Sequence, residues 1–400
     1  MGMFDFRSLE DHSFKTEWGT LDCYNHRASA YHLTLFPYFD AYLKKNGLIP
    51  SVQWPQGKRF CLALSHDVDN IGYYSLSEKL NMIKRSLSQA RGLKKAGVVA
   101  LIRSCLQWGR GAKNKVLSRT DPYHCFEKWL EIEDRYRAKS TFFFSTPVPL
   151  ELQEIEDCAY LLEDYLQFDG EKIQVTDLMR QLNQRGWEVG LHPAIQTHKN
   201  LALLEQQKKM IDKILPQPIQ SVRQHFLMFD PMTTPQIHSR AGFSFDSTYG
   251  FNKQVGFRAG TSFPFYFQDS TTLELPLIIQ DVSMFRHLSA MGLGLTAAKE
   301  LIGQIMQRVA NVGGVMTVLW HPNTIAAVDP EYAEMYLKAY EFLLDLAQKE
   351  GAWITSVGEA GRYFKENLEP TVKTAFQDLD VKDLGKFVSC MTEPPFPNRL

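Results

Sequence analysis

The chain has 400 residues, of which 44% are hydrophobic and 22% are charged, and its formal net charge is -1. This composition is that of an ordinary globular protein, which excludes a disordered or fibrous chain, and it is ample for one large α/β domain or for two domains. The balanced charge argues neither for nor against a polyanionic ligand, and we expect no nucleic-acid partner.

Cysteine use and the first residues of the chain bear on its compartment. The six cysteines are scattered without a Cys-x-x-Cys pair, which is typical of free thiols in a reducing environment. The N-terminus lacks the basic and then apolar pattern of a secretory signal, and no apolar run approaches the ~20 residues that span a bilayer. We therefore expect a cytoplasmic protein.

The pattern along the chain predicts three parts. Residues 1–58 contain apolar side chains at helical spacing, from Leu33 to Leu43, and are predicted to form an N-terminal extension that packs on the main domain. Residues 59–366 form the main domain, and the polar residues 367–400 form a C-terminal tail.

Strand and helix signals alternate through the main domain, which predicts a parallel sheet. The count of roughly seven strands favours a barrel over an open sheet. Several strands end in an ionisable side chain, and these are Asp67, Asp69, His192, Arg223, His225 and His321. In a parallel barrel such ends share one rim, where active sites lie, so the sequence predicts that these side chains converge.

A helical insertion at residues 72–120 is predicted to interrupt the barrel. From Lys79 to Thr120 there is no Asp or Glu, whereas Lys and Arg recur throughout and apolar residues stand between them. A basic amphipathic segment of this kind can lie on an anionic membrane or hold an anionic substrate. The alternative interpretation is a solvated helical insertion without such a role.

Two motifs within the predicted barrel have both a functional and a structural interpretation. The segment Gly186–His192 is an apolar run that ends in a histidine, and His198 follows in a loop. Two imidazoles at the end of a strand can form part of a metal site, or they can be ordinary loop histidines. The pair Asp67 and Asp69 can likewise place chemistry at the top of the sheet, or form a turn or a helix cap.

Taken together, these motifs resemble the polysaccharide deacetylase family, carbohydrate esterase family 4, which carries the nodulation-type deacetylase homology domain. The resemblance covers roughly residues 59–360. Ser65-His-Asp-Val-Asp69 stands where the family has Thr-Phe-Asp-Asp-Gly, and it resembles a divergent His-Asp-Val-Asp branch. Gly186-Trp-Glu-Val-Gly-Leu-His192 is similar to the family segment Gly-x-Glu-x-Gly and the histidine after it. The resemblance implies a distorted (β/α) barrel.

Further similarities and two departures concern the other motifs. His198-Lys-Asn-Leu is similar to the family ending His-Pro-Asn-Leu, Arg223 to a later arginine, and Leu319-Trp-His321 to the final Leu-x-x-His motif. Val68 stands where the family has its metal-binding aspartate, so Asp69 would have to replace it. The two motif histidines are six residues apart where four is usual, which makes His225 the alternative to His198.

The resemblance implies hydrolysis of an N-acetyl amide on a sugar with the help of a divalent ion. Zn²⁺ is the expected ion, with Co²⁺ or Ni²⁺ as alternatives, because carboxylate and imidazole ligands leave positions open for water and the acetyl oxygen. The implied ligands are Asp69, His192 and His198. The implied catalytic residues are Asp67 as general base, Arg223 as the cation that keeps it ionised, and His321 as proton donor to the amine. Further candidates for ligands or substrate contacts are His225, Arg258 and Asp246.

The expected cytoplasmic location predicts a role in making a surface polysaccharide, such as a lipopolysaccharide O-antigen or a capsule. The substrate would be an N-acetylated glycan, a sugar nucleotide or a lipid-linked precursor, and residues 79–119 would face phosphate or the anionic inner leaflet. Two alternatives stay open. One is an amidohydrolase for a non-sugar amide on the same barrel, and the other is a catalytically impaired glycan-binding or scaffold protein.

Overall fold

The computed structural model describes residues 35, 37–48, 52–73, 121–154, 156–287, 290–326 and 329–372. The strands are β1 (Phe60–Val68), β2 (Thr141–Phe144), β3 (Tyr165–Phe168), β4 (Glu171–Gln174), β5 (Glu188–Leu191), β6 (Ser221–Val222), β7 (Phe245–Asp246), β8 (Phe265–Tyr266), β9 (Leu273–Glu274), β10 (Leu277–Gln280), β11 (Val315–Leu319) and β12 (Ala352–Ser356). The α-helices are α1 (Tyr38–Lys45), α2 (Phe126–Arg135), α3 (Val175–Gln184), α4 (Leu201–Asp212), α5 (Thr234–Arg240), α6 (Asp281–Phe285), α7 (Leu295–Ala310), α8 (Pro330–Lys349) and α9 (Val357–Tyr363).

Ten of the strands form one sheet in the order β10-β11-β1-β2-β5-β6-β7-β9-β8, with β12 also paired to β1, and β3 and β4 form a separate hairpin. Every ladder of the large sheet is parallel except that between β8 and β9. The sheet curls into a half-barrel, which confirms the predicted α/β barrel class. Within the described part of the chain no ladder joins β8 or β9 to β10, so the barrel stays open there.

Strand β1 is the centre of the sheet because it has three neighbours. It pairs with β11 on one side, and on the other with β12 along its first half and β2 along its second half. All nine of its residues are buried, as expected for a parallel strand that is covered on both faces. The end of β1 therefore emerges between β11 and β2.

Side chains of β1 alternate between two hydrophobic cores. Phe60, Leu62 and Leu64 belong to a core that also contains side chains of α2, α7 and α8. Cys61 and Ala63 belong to a second core on the other face of β1. The same alternation directs His66 and Asp67, which follow in the strand, to opposite faces.

Local packing explains the Gly-x-Glu-x-Gly segment of β5. A Cβ atom on Gly190 would lie 2.6 Å from the ring of Phe143, so only glycine lets β5 approach β2 here. The carboxylate of Glu188 accepts hydrogen bonds from Ser221 Oγ at 2.5 Å, Thr141 Oγ1 at 2.5 Å and the Gly358 amide at 2.7 Å. Glu188 therefore connects β2, β5, β6 and α9 through hydrogen bonds, which is a structural role.

Helix α1 packs against the loop before β8. Asp40, which is fully buried, accepts hydrogen bonds from Thr261 Oγ1 at 2.5 Å, the Ser262 amide at 2.8 Å and Ser262 Oγ at 2.6 Å. The packing agrees with an N-terminal segment on the main domain, although the predicted boundaries at residues 58 and 366 remain predictions. Residues 74–120, which hold most of the predicted insertion, and residues 373–400 lie outside the described part.

Asp40 is expected to make stability depend on pH. Burial raises the pKa of its carboxyl to about 6 from the usual 3.8, and the hydrogen bonds from Ser262 and Thr261 offset only part of this. A raised folded-state pKa stabilises the protein below the unfolded pKa, and this contribution is lost as pH rises through the folded pKa. Relative to Asp40→Asn, the free energy of unfolding of the natural protein should fall by up to about 3 kcal/mol between about pH 4 and pH 7.

Urea denaturation of both proteins across this range measures the difference. Asp269→Asn, at an exposed carboxylate, serves as the control for replacing an aspartate at the surface. Parallel curves for the natural protein and Asp40→Asn would contradict the prediction.

Among the residues described, none of the helices combines the length and the apolar character that crossing a bilayer requires.

Candidate metal and catalytic site

The carboxyl ends of the parallel strands bring the predicted ionisable residues to one rim. Asp67 is the second-to-last residue of β1, and Asp69 is the first residue after this strand. His192 follows β5, and Arg223 follows β6. His321 comes two residues after β11. Because these strands are parallel, their ends lie on the same side of the sheet. The structure thus brings together side chains that are far apart along the chain.

Asp69, His192 and His225 form a group whose candidate ligand atoms all lie within 4.8 Å of one another. Asp69 Oδ1 lies 3.3 Å from His192 Nε2 and 3.5 Å from His225 Nδ1. The two imidazole nitrogens are 2.8 Å apart. One carboxylate and two imidazoles are a donor set that zinc and related divalent ions bind.

The outward nitrogens of both rings contact backbone carbonyls. His192 Nδ1 lies 2.7 Å from the Arg223 carbonyl oxygen, and His225 Nε2 lies 2.8 Å from that of Glu156. A carbonyl only accepts, so these ring nitrogens carry the protons, and in the neutral rings the facing nitrogens are both acceptors. Asp69 Oδ1, which is buried, has no hydrogen-bond partner. Three acceptors that face one another can be satisfied by one cation between them, so this group fits a metal ion.

Asp67 and Arg223 form a second, fully buried pair beside this group. Arg223 Nη1 lies 3.8 Å from Asp67 Oδ1, and Asp67 Oδ2 lies 3.9 Å from His192 Nδ1. Arg223 Nη2 donates to Ser65 Oγ at 2.8 Å and to Ser247 Oγ at 2.9 Å, which fixes the guanidinium. Burial lowers the pKa of Arg223 and Asp67 opposes the shift. Asp67 Oδ1 has no hydrogen-bond partner and is free to accept a proton.

His321 lies on the opposite side of Asp69 and is held by Asp281. Asp281 Oδ1 lies 2.7 Å from His321 Nδ1, and Asp281 Oδ2 accepts from the His321 amide at 2.8 Å. The other ring nitrogen, Nε2, lies 3.6 Å from Asp69 Oδ2 and faces the site. Burial lowers the pKa of His321, but Asp281, together with Asp69 and Asp67, more than compensates and raises it to about 9. The ring is therefore a proton donor at neutral pH.

The sequence analysis missed Asp281, although a signal for it exists. Asp281 directly follows β10, so it meets the same rule by which the other candidates were selected. Asp281 also opens the short helix α6, where an aspartate is an ordinary first-turn residue, so its position alone does not distinguish a site role from a helix-capping role.

The structure places His198 outside the group of three ligand candidates and places His225, the alternative, inside it. His198 lies in a 3₁₀ helix, Ile195–Lys199, and its Nδ1 contacts the Ile195 carbonyl at 2.6 Å. Its own carbonyl accepts from Thr234 Oγ1 at 2.9 Å. This local turn takes up the extra residues of the six-residue spacing, and the ring is held by its own helix.

His225 is presented by a strained turn. Phe226 and Leu227, which follow it, have φ values of 56° and 51°, a conformation that costs free energy for residues other than glycine. Gln224, which precedes it, is fully buried, and its backbone amide donates to Thr248 Oγ1 at 3.0 Å. These contacts fix the backbone on either side of the histidine.

Asp246 and Arg258 also lie outside the ligand group. Asp246 Oδ2 contacts His238 Nδ1 at 2.7 Å, and His238 Nε2 lies 2.9 Å from Gln224 Nε2. Asp246 is therefore connected through His238 to Gln224, the residue before His225. Arg258 Nη1 donates to the Gly250 carbonyl at 2.9 Å. The predicted basic surface at residues 79–119 lies outside the described residues.

No model of a known protein family matches the sequence, and no curated protein matches it. Among solved structures, the chain is similar to the crystal structure of a proposed polysaccharide deacetylase from Mycobacterium smegmatis, with a TM-score of 0.48 and 17% identity over 79% of this chain and 93% of that chain. It is also similar to 4-alpha-glucanotransferase from Thermococcus litoralis, with a TM-score of 0.36 and 13% identity over 83% of this chain and 47% of that chain. At these values neither similarity bears on the function of the chain.

Proposed function

We propose that the protein is a metal-dependent hydrolase that removes the acetyl group from an N-acetylated sugar. The observation that carries the proposal is the group of Asp69, His192 and His225, with a buried carboxylate on one side and a protonated histidine on the other. The sequence motifs that resemble polysaccharide deacetylases support the same reaction class. Zinc as the ion, a surface polysaccharide as the product and membrane contact through residues 79–119 remain predictions from the sequence.

Amide hydrolysis requires a polarised carbonyl, an activated water and a proton for the departing amine. Asp69, His192 and His225 would hold a divalent ion, which would supply a Lewis acid for the carbonyl and lower the pKa of water. Asp67 Oδ1 accepts the proton of the attacking water, and the guanidinium of Arg223, whose Nη1 lies 3.8 Å away, orients the carboxylate. His321 gives its Nε2 proton to the nitrogen as the C–N bond breaks, while Asp281 holds the ring.

An apolar cluster of three leucines is suited to the methyl part of an acetyl group. Leu227, Leu277 and Leu319 pack together apart from the larger cores, and each is at most 3% exposed. Leu227 lies two residues after His225, and Leu319 two residues before His321. Two of the three leucines are thus close in sequence to residues that would contact the acetyl carbonyl and nitrogen.

The ligand assignment is tested by comparing His225→Ala with His198→Ala. After treatment with a chelator, each protein is titrated with Zn²⁺ or Co²⁺ in a calorimeter. We expect His225→Ala to weaken binding by at least about 100-fold, because a ligand is lost, and His198→Ala to change it by less than about threefold. Chelation should abolish deacetylation of an N-acetylated sugar, and added ion should restore it.

Each result has a definite meaning. Loss of binding in His198→Ala but not in His225→Ala would return the third ligand to His198. Failure of the natural protein to bind either ion, or deacetylation that survives thorough chelation, would overturn the proposed function. Circular dichroism of both variants serves as the control for folding.

A further inference from the structure

Arg258 is a nearly buried cation without a carboxylate partner. It is 9% exposed, and no acidic side chain of the described chain lies within ion-pair distance of it. Its Nη1 donates to the Gly250 carbonyl at 2.9 Å, and its guanidinium carbon lies 4.2 Å from the ring centroid of Tyr249. Its Nε is buried and has no hydrogen-bond partner. Arg223, the other deeply buried arginine of this region, does lie beside a carboxylate, Asp67.

A second polar side chain in the same segment is also unsatisfied. Gln254 is 2% exposed, and neither its Nε2 nor its Oε1 has a hydrogen-bond partner. Buried polar groups are nearly always hydrogen-bonded, and an unpaired buried charge is especially unfavourable. Two such groups within residues 250–258 indicate capacity for a polar ligand.

The segment that Arg258 contacts runs along the rim of the candidate site. Asn252 Nδ2 donates to the carbonyl of Phe226 at 2.8 Å, and Phe226 is the residue that follows His225. The Asn252 carbonyl accepts from Ser283 Oγ at 2.8 Å, in the helix α6 that begins with the partner of His321. Residues 249–252 therefore bridge the His225 side and the His321 side, and Arg258 holds this bridge at Gly250.

We propose that Arg258 forms an oxyanion subsite beside the candidate metal site and binds a phosphate or carboxylate group of the substrate. This inference rests on the proposed deacetylase function and specifies its substrate as an anionic N-acetylated sugar. A planar guanidinium pairs with both kinds of oxyanion through parallel hydrogen bonds. Such a ligand would supply the negative charge that the buried arginine lacks within the described chain.

The substrate test compares three N-acetylated compounds on the metal-loaded protein. These are N-acetylglucosamine 1-phosphate, an N-acetylated hexosaminuronic acid and neutral chitotriose. Arg258→Met, which keeps the side-chain length without the charge, should lower kcat/KM for the preferred anionic compound by about 10- to 100-fold, mainly through KM. Activity on the neutral compound should fall much less than activity on the anionic compound, and Arg258→Lys should restore part of the anionic loss. Equal losses on all three compounds would overturn the subsite.

A binding test separates this proposal from the deacetylase function. Inorganic phosphate and acetate are titrated against the natural protein, Arg258→Met and the control Arg240→Met, which alters an exposed arginine of α5. Binding of either anion that is lost only in Arg258→Met supports the subsite even if no N-acetyl sugar is hydrolysed. Metal binding and deacetylation without any Arg258-dependent anion binding would overturn the subsite and leave the proposed function standing. The anion that binds more tightly decides between phosphate and carboxylate.

Discussion

Replacing Asp67 with asparagine is expected to lower kcat for deacetylation by about 10²- to 10⁴-fold, with the affinity for the metal unchanged. Asparagine keeps the shape of the side chain but does not accept a proton. Asp67 is 2% exposed, its Oδ1 faces Arg223 and has no hydrogen-bond partner, and the ligand group of Asp69 lies next to it. Steady-state kinetics on an N-acetylated sugar and a zinc titration measure the two quantities.

Asp69→Asn is the informative companion to this variant. Since Asp69 belongs to the ligand group, its replacement should weaken zinc binding as well as activity. The two neighbouring aspartates are thereby separated by role. Activity of Asp67→Asn within about threefold of the natural protein would place the general base elsewhere, and loss of zinc from Asp67→Asn would make Asp67 a ligand.

Replacing Glu133 with alanine is expected to lower the free energy of unfolding by about 3–5 kcal/mol, because it leaves four buried polar groups without their hydrogen-bond partner. Glu133 is fully buried in α2. Its Oε1 lies 2.8 Å from His66 Nε2 and accepts from Tyr340 Oη at 2.8 Å. Its Oε2 accepts from Ser140 Oγ at 2.9 Å and Trp187 Nε1 at 2.6 Å.

The geometry of His66 explains why this carboxylate matters. His66 Nδ1 lies 2.8 Å from the Trp320 carbonyl, and Nε2 faces Glu133. The ring is fully buried, and these two groups are its hydrogen-bond partners. His66 precedes Asp67 and Trp320 precedes His321, so the pair anchors the outer face of the two strands whose ends carry the candidate site.

Urea denaturation of Glu133→Ala, Glu133→Gln and the control Glu131→Ala tests this expectation. Glu131 lies in the same helix and is exposed, so its replacement should change stability by less than about 0.5 kcal/mol. Glu133→Gln keeps part of the hydrogen bonding and should fall between the other two. A loss below about 1 kcal/mol in Glu133→Ala would show that the buried pair contributes little.

The sequence by itself determined the class of the fold and the rim that gathers the candidate residues. Buried apolar runs such as residues 60–64 and Val315–Leu319 predict parallel strands, and the polar residues that follow them are then directed to one edge. This inference needs only the order of residues along each strand. It therefore identified Asp67, Asp69, His192, Arg223, His225 and His321 before any distance was known.

Only the tertiary structure decided which of these side chains face one another. His225 rather than His198 joins Asp69 because a 3₁₀ turn holds His198 on its own backbone, and Asp281 reaches His321 from a neighbouring strand. The partnership of His66 with Glu133 likewise spans 67 residues of chain. Periodicity specifies the face on which a side chain lies, whereas the distance between side chains of different elements depends on register and packing across the sheet.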